Sequence, residues 1–432
     1  MKYFFTFLLL LFFSSCAKNN LLKKPNQRAP IGDFLNEFNL GFTGYAWEFQ
    51  SNENSSVWLP SMSLLLDGHV DTRIKNVDYA KFNELRETID ESKYFVMWIT
   101  KHWNPSYFNI KDIQRAIDYG KIPVFVYWYF GDDFATHNTQ SVISKERKNY
   151  AKMNQKVVNF INQLKGEVIM ILEPEFNKQN ILDNPLSTQL FISTMNYSLD
   201  YLRQNISKDI HLYLGLSMND NGSRYKNENY VGCGYEHCAL GDKYTWNKSI
   251  RVLQQLSNKT DIVAFSMMLS PLTRALHNPN TAHAYKNERL GIGYIPKRIN
   301  NLSYELHTQL NKPVFLSHLV MASGTWNDIN NNQKVENNEI DPNGWNREIY
   351  NTYSKFDYAK FKSNGLFGMA LMNLFDDPKH DLGGYNYFLQ NEHHLGLIST
   401  AVDPESKQAK NGKLHFKSFN NIRLLDLIYK KH

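Results

Sequence analysis

The sequence predicts an α/β protein built as a single (β/α)8 barrel with long βα loops, and three observations carry that prediction. Short apolar runs recur along the chain with helical stretches between them. The runs are near-continuously apolar rather than alternating, the mark of parallel strands buried on both faces. Eight such units fit within 432 residues, which is the arithmetic of a barrel with generous loops.

The strand signals run in order as Leu40–Trp47, Tyr94–Thr100, Pro123–Tyr129, Val168–Leu172, His211–Leu216, Ile262–Met267, Pro313–His318 and Leu366–Met372. Helical patterns fall between them, over about 79–91, Ile110–Tyr119, Lys145–Leu164, Gln189–Gln204, Trp246–Leu256, Pro296–Leu310 and Trp345–Phe361, with a closing helix over Phe416–Tyr429. A doubly wound open sheet would use the same alternation. No glycine-rich phosphate-binding turn follows the first strand, which counts against a dinucleotide fold. No linker or fixed-period repeat divides the chain, so residues 39–432 read as one domain.

Composition narrows the class further. At 42% hydrophobic and 14% aromatic residues the chain has ample core-forming material and is not disordered. The net charge of +6 is concentrated at the start, where Lys2, Lys18, Lys23, Lys24 and Arg28 occur without an acid and leave the remainder nearly neutral. A nucleic-acid-binding fold would carry basic charge on its body, so that class is set aside.

The first residues read as a leader. Lys2 precedes the apolar run Tyr3–Phe13, too short to span a bilayer, which ends at Ser14-Ser15-Cys16. Small residues before a cysteine resemble a bacterial lipobox, with Phe13 in place of the usual leucine. The resemblance implies a signal peptide over residues 1–15, lipid on Cys16, and a basic tether over 16–38. An ordinary signal peptide cut near Ser15 is the alternative. A lipidated chain would sit in the bacterial cell envelope, anchored in a membrane and facing outside the cytoplasm. There Cys233 and Cys238 are expected to close a small loop by a disulfide. His237 between them suggests a metal site, but one His and two Cys are an incomplete tetrahedral set.

In barrels of this kind the active site lies at the C-terminal ends of the strands. Those ends carry Trp47-Glu48, then His102-Trp103, then Tyr127, Tyr129 and Asp132, then Glu173-Pro174-Glu175 with Asn177, then Asp220, His318, and Asn373 with Asp376. Aromatic faces stack on the C–H faces of sugars while carboxylates and amides bind hydroxyls, so the rim has the composition of a carbohydrate cleft. Rim histidines fixed by ordinary hydrogen bonds fit the same positions. On an extended strand end Glu173 and Glu175 would point to the same side, roughly 6–7 Å apart between Cα atoms. Two close carboxylates divide into a protonated acid and an ionised partner, the division of labour that glycosidic hydrolysis needs. Glu175, further out, is assigned the acid, and Glu173 orientation or charge stabilisation.

These motifs resemble those of barrel glycoside hydrolases. In the large clan of retaining enzymes strand four ends in an acid/base Glu, which Glu175 matches, and strand seven in a nucleophile Glu, which this chain lacks. In chitinase-like barrels strand four ends in Asp-x-Glu and the substrate's acetamido group attacks. Glu173-Pro174-Glu175 is similar, without that motif's upstream residues. An inverting reaction would pair Glu175 with a base such as Asp132, Asp133, Asp220, Asp376 or Asp377. The expected partner is a carbohydrate, the chain acts as a monomer, and no cofactor is required for the chemistry.

One loop matches a calcium pattern. Over Asp328–Glu339, oxygen-bearing side chains fall at Asp328, Asn330, Asn332, Glu336 and Glu339, with Lys334 offering its backbone carbonyl. Gln333 replaces the usual glycine, and an Asn-rich surface loop is the competing reading. Calcium bound there predicts a higher melting temperature with calcium than with chelator, and identical melts would remove the site.

Overall fold

The computed structural model describes residues 32–43, 91–131, 133–177, 179–220, 239–269, 292–321, 345–372, 374, 396–399, 415–419 and 422–430. Eight parallel strands close in sequence order, β1 (Asn39–Thr43), β2 (Tyr94–Thr100), β3 (Ile122–Trp128), β4 (Gly166–Leu172), β5 (Ile210–Asn219), β6 (Val263–Leu269), β7 (Val314–Met321) and β8 (Leu366–Leu371), with β8 returning to β1. This is the predicted (β/α)8 barrel. The strands are apolar because each is covered twice, by its neighbours' side chains inside and by helices outside. Ile169, Ile171, Val124 and Val126 are all fully buried.

The outer layer includes α1 (Ile110–Asp118), α2 (Thr139–Ile161), α3 (Pro185–Asn205), α4 (Ala239–Leu256), α5 (Ile295–Leu310), α6 (Trp345–Ser354), α7 (Tyr358–Ser363) and α8 (Leu424–Tyr429). The abundant asparagines start several of them. Asn109, Asn138 and Asn184 each accept a hydrogen bond from a first-turn N–H. Each such cap typically contributes about 1 kcal/mol. It is these caps that extend α2 and α3 upstream of the starts expected from hydrophobic periodicity alone.

Two expectations are corrected. The stretch Trp345–Phe361 is not one helix, because Asp357 caps a new start by accepting from the Lys360 N–H. The closing helix is confined to Leu424–Tyr429. Upstream of it, His415–Phe416 pairs antiparallel with Ile398–Ser399, and Ser418–Phe419 with Ile422–Arg423. The expected helix over about 79–91 lies almost wholly outside the described residues.

The N-terminal end of the barrel is closed. A 3-10 turn, Asp33–Asn36, puts Phe34 edge-on against Tyr213 at 5.0 Å, Phe367 at 5.7 Å and Tyr94 at 6.2 Å between ring centroids. The Gly32 N–H donates to Glu167 Oε1 (2.6 Å), and the Tyr213 hydroxyl donates to the same oxygen (3.2 Å). Just above, β1 presses on β2 so closely that a Cβ on Gly41 would stand 2.2 Å from the Tyr94 carbonyl oxygen. The opposite end carries the C-terminal ends of the strands, where barrels of this architecture place their sites; it is called the mouth below. No helix among the described residues is long and apolar enough to cross a membrane.

Candidate active site

The chain leaves β4 by an unusual turn. Glu173 and Glu175 both have positive φ, 42° and 63°, a left-handed backbone that is costly for a residue with a side chain. The extended geometry expected for Glu173-Pro174-Glu175 is thus corrected, and the two carboxylates do not act as a same-side pair. Glu173 is buried, and its carboxylate accepts the backbone N–H of Tyr129 (3.1 Å) and of Phe130 (3.3 Å). Its own N–H donates to the Tyr127 carbonyl at 2.7 Å. Glu173 is thereby a strap between β4 and the turn after β3, with its charge spread over fixed amide dipoles.

Glu175 lies at the mouth instead. Its side chain retains 19% exposure, and its Oε1 accepts a 3.0 Å hydrogen bond from Asn219 Nδ2 at the end of β5. His318 Nε2 on β7 stands 3.8 Å from the same oxygen. A carboxylate from β4 that meets side chains of β5 and β7 must reach across the mouth. Asn219 is itself held in place, since Asn177 Nδ2 donates to its carbonyl and Asn177 Oδ1 accepts from its N–H, both at 2.8 Å. Asn177 was expected to bind substrate. Both ends of its amide are engaged by backbone, so its role here is to lock the β4 and β5 ends together.

His318 is buried, with the Trp98 ring 5.1 Å away between centroids, and Trp98 meets Trp128 edge-on at 5.4 Å. An aromatic wall therefore flanks the Glu175–His318 pair. Trp98, Trp128 and Asn219 were not among the expected site residues. Period-two alternation along β3 separates Trp128 from Tyr127 and Tyr129, which face the other way, without saying which set points inward. The Tyr127 hydroxyl donates to Asn154 on α2 at 2.8 Å, and the Tyr129 hydroxyl to Glu146 on α2 at 3.0 Å. Both are corrected from cleft to helical layer, where burial drives their phenols well above the ordinary tyrosine range. Trp103 is likewise corrected. It is fully buried beneath α2, edge-on to Phe160 at 5.2 Å.

Asp220 is removed from the list of bases. It forms a buried ion pair with Arg298 of α5 at 2.9 Å, and Trp246 of α4 donates its indole N–H to the Asp220 carbonyl at 2.8 Å. A charge so committed anchors β5 rather than activating a water. Asp133 is paired with Lys101 at 3.2 Å. His102 is exposed just beyond β2. Trp47, Glu48, Asp132, Asn373, Asp376 and Asp377 lie outside the described residues, as do Cys16, Cys233, Cys238 and the loop with Asp328, Asn330, Asn332, Lys334 and Glu339. Among the described residues no three His, Cys, Asp or Glu side chains are grouped to hold a metal ion.

No protein-family model matches the chain, and no curated protein matches it in sequence. Solved structures that it resembles include glycoside hydrolases. One is a modular endo-beta-1,4-mannanase of family 26 from Cellulomonas fimi, 10% identical with a TM-score of 0.44, covering 92% of this chain and 71% of that one. Another is the family 26 endo-beta-1,4-mannanase catalytic domain of Bacillus sp. JAMB-750, 10% identical with a TM-score of 0.43, covering 82% of this chain and 81% of that one. A third is a hyperthermophilic beta-glucosidase from Pyrococcus furiosus, 11% identical with a TM-score of 0.46, covering 88% of this chain and 93% of that one.

A charged network braces the wall beside the mouth. Lys101 Nζ pairs with Glu146 at 3.0 Å, and Glu146 also accepts from Tyr129 and Asn149. Burial alone would raise the Glu146 carboxyl, but the hydrogen bonds from Lys101, Asn149 and Tyr129 and the lysine charge outweigh it and hold the carboxyl below its ordinary value. A carboxyl depressed in the folded state stabilises above its unfolded pKa of about 4.3, and that stability is lost as pH falls through the folded value. Glu146→Gln should therefore cost about 1–3 kcal/mol at neutral pH, the typical worth of hydrogen bonds to a charged group. In urea unfolding the gap to wild type should shrink as pH drops below about 4. A gap independent of pH would refute the ionic role.

Proposed function

We propose that this chain is a glycoside hydrolase acting on a poly- or oligosaccharide, with Glu175 as the carboxyl that transfers a proton to or from the glycosidic oxygen. The observation that carries this reading is Glu175 itself, a partly exposed carboxylate turned over the barrel mouth with Asn219 and His318 directed at it. Trp98 and Trp128 supply an aromatic wall beside it. Glu173 has a structural part, since its carboxylate is taken up by backbone amides. The reacting partner of Glu175 is a base or nucleophile among Asp132, Asp376 and Asp377, or the substrate's own group.

A second reading is a glycan-binding protein that cleaves nothing. It is favoured by β7, Val314–Met321, which holds no acid although the retaining barrels that the motifs resemble carry a nucleophilic carboxylate at the end of that strand. Reducing-sugar release from a panel of polysaccharides separates the two. The isosteric Glu175→Gln keeps shape and removes proton transfer, so cleavage should fall on the order of 10²–10⁴-fold, while Glu173→Gln should act mainly on stability. Cleavage intact in Glu175→Gln would refute the assignment, and glycan binding without cleavage by the wild type would favour the second reading.

We further propose that Cys16 is lipidated and holds the protein in the bacterial cell envelope, facing outside the cytoplasm. Mass spectrometry of the mature N-terminus should find Cys16 first and carrying acyl chains. An unmodified N-terminus lacking Cys16 would overturn it.

A further inference from the structure

The β7 strand is irregular where it meets the site. On its β6 side the register runs Phe265 with Leu316 and then Ser266 with His318, so Ser317 is an extra residue in the ladder. On its β8 side the ladder breaks between Leu316 and Leu319. Bulges of this kind re-aim side chains near active sites. Here Ser317 and His318 are brought into contact with each other, Ser317 Oγ lying 3.2 Å from His318 Nδ1.

The hydrogens around Ser317 can be counted. A serine hydroxyl has one proton to donate and two lone pairs to accept with. Ser317 Oγ donates to the Phe265 carbonyl at 3.0 Å, which uses its proton. Its contact with Ser217 Oγ at 3.0 Å must then be donated by Ser217. With its proton held on the Phe265 carbonyl, Ser317 receives the His318 contact from the ring, which puts hydrogen on Nδ1. A neutral imidazole protonated at Nδ1 has a bare Nε2, and that nitrogen faces Glu175 Oε1 at 3.8 Å.

A bare ring nitrogen and an ionised carboxylate repel each other, and one proton between them removes the repulsion in either position. We propose that Ser317 fixes His318 as the Nδ1–H tautomer, so that His318 Nε2 and Glu175 hold a single proton between them. This deepens the proposed function: His318 is a positioning residue that keeps a transferable proton at the acid. The gap closes by a small shift, as separations in unliganded sites commonly do on binding. Among the described residues, Glu173 is engaged by the β3 amides, Asp220 by Arg298, and Lys101 by Asp133 and Glu146. Asn219 adds a donor to Glu175 without adding charge.

The test is nitrogen NMR of the full chain labelled in histidine, with the His318 signal assigned by its absence in His318→Gln or, should that variant not fold, in His318→Asn. The expected pattern has Nδ1 protonated in both the acidic and the neutral form, with Nε2 the nitrogen that titrates. Ser317→Ala should move the neutral ring toward Nε2–H. A neutral wild-type ring protonated at Nε2, or a tautomer unchanged in Ser317→Ala, overturns the proposal. Where cleavage is measurable, His318→Gln should lower it on the order of 10²-fold and shift the alkaline limb of the pH profile. An unshifted limb also counts against the proposal. The NMR readout needs no substrate, so it stands or falls separately from the assignment of Glu175 as acid.

Discussion

The site depends on how the chain turns out of β4, and that turn depends on the amides of Tyr129 and Phe130 donating to the Glu173 carboxylate. Two side-chain-bearing residues with positive φ within three positions cost on the order of 1–3 kcal/mol each, so something must hold them. Buried hydrogen bonds to an ionised group are among the stronger ones available. They tie β4 to the turn after β3 and direct the following residues away from the strand axis. Glu175 is delivered to the mouth because Glu173 is not. The two glutamates look equivalent in sequence, yet one supports the structure and the other faces solvent.

The same division runs around the mouth. Asp220 and Arg298 neutralise each other behind β5, and Asn177 clasps the backbone of Asn219. These contacts leave the Asn219 side chain directed at Glu175. On the far side Trp98 backs His318. Glu173 and Asn177 are matched to backbone and Asp220 to Arg298, as burial demands of polar groups. Glu175, Asn219 and His318 are thereby carried on or just beyond rigid strands, where catalytic geometry is most easily held.

The barrel was legible from sequence because parallel strands covered on both faces must be apolar throughout, and the runs from Tyr94, Val168, Pro313 and Leu366 all fall on observed strands. The end of the barrel that carries Glu175 followed from the fold. The direction of each side chain did not. A continuous apolar run conceals which of Tyr127, Trp128 and Tyr129 faces inward, since all three are aromatic. The left-handed turn at Glu173 had no glycine to announce it, and the bulge at Ser317 leaves no compositional trace. The split near Asp357 was readable in principle, because an aspartate before a short amphipathic run is a helix-start signal.

The plug at Phe34 also has a consequence for where the chain leaves the barrel. It belongs to a segment that starts at the closed base, and the other described end returns to the same region, where the Tyr429 hydroxyl meets Ser92 just ahead of β2 at 2.5 Å and Tyr358 reaches the Ile428 carbonyl. Gly32 and Lys430, the first and last described residues of the barrel, thus share its underside, and the chain that continues beyond either of them sets out from the side away from Glu175.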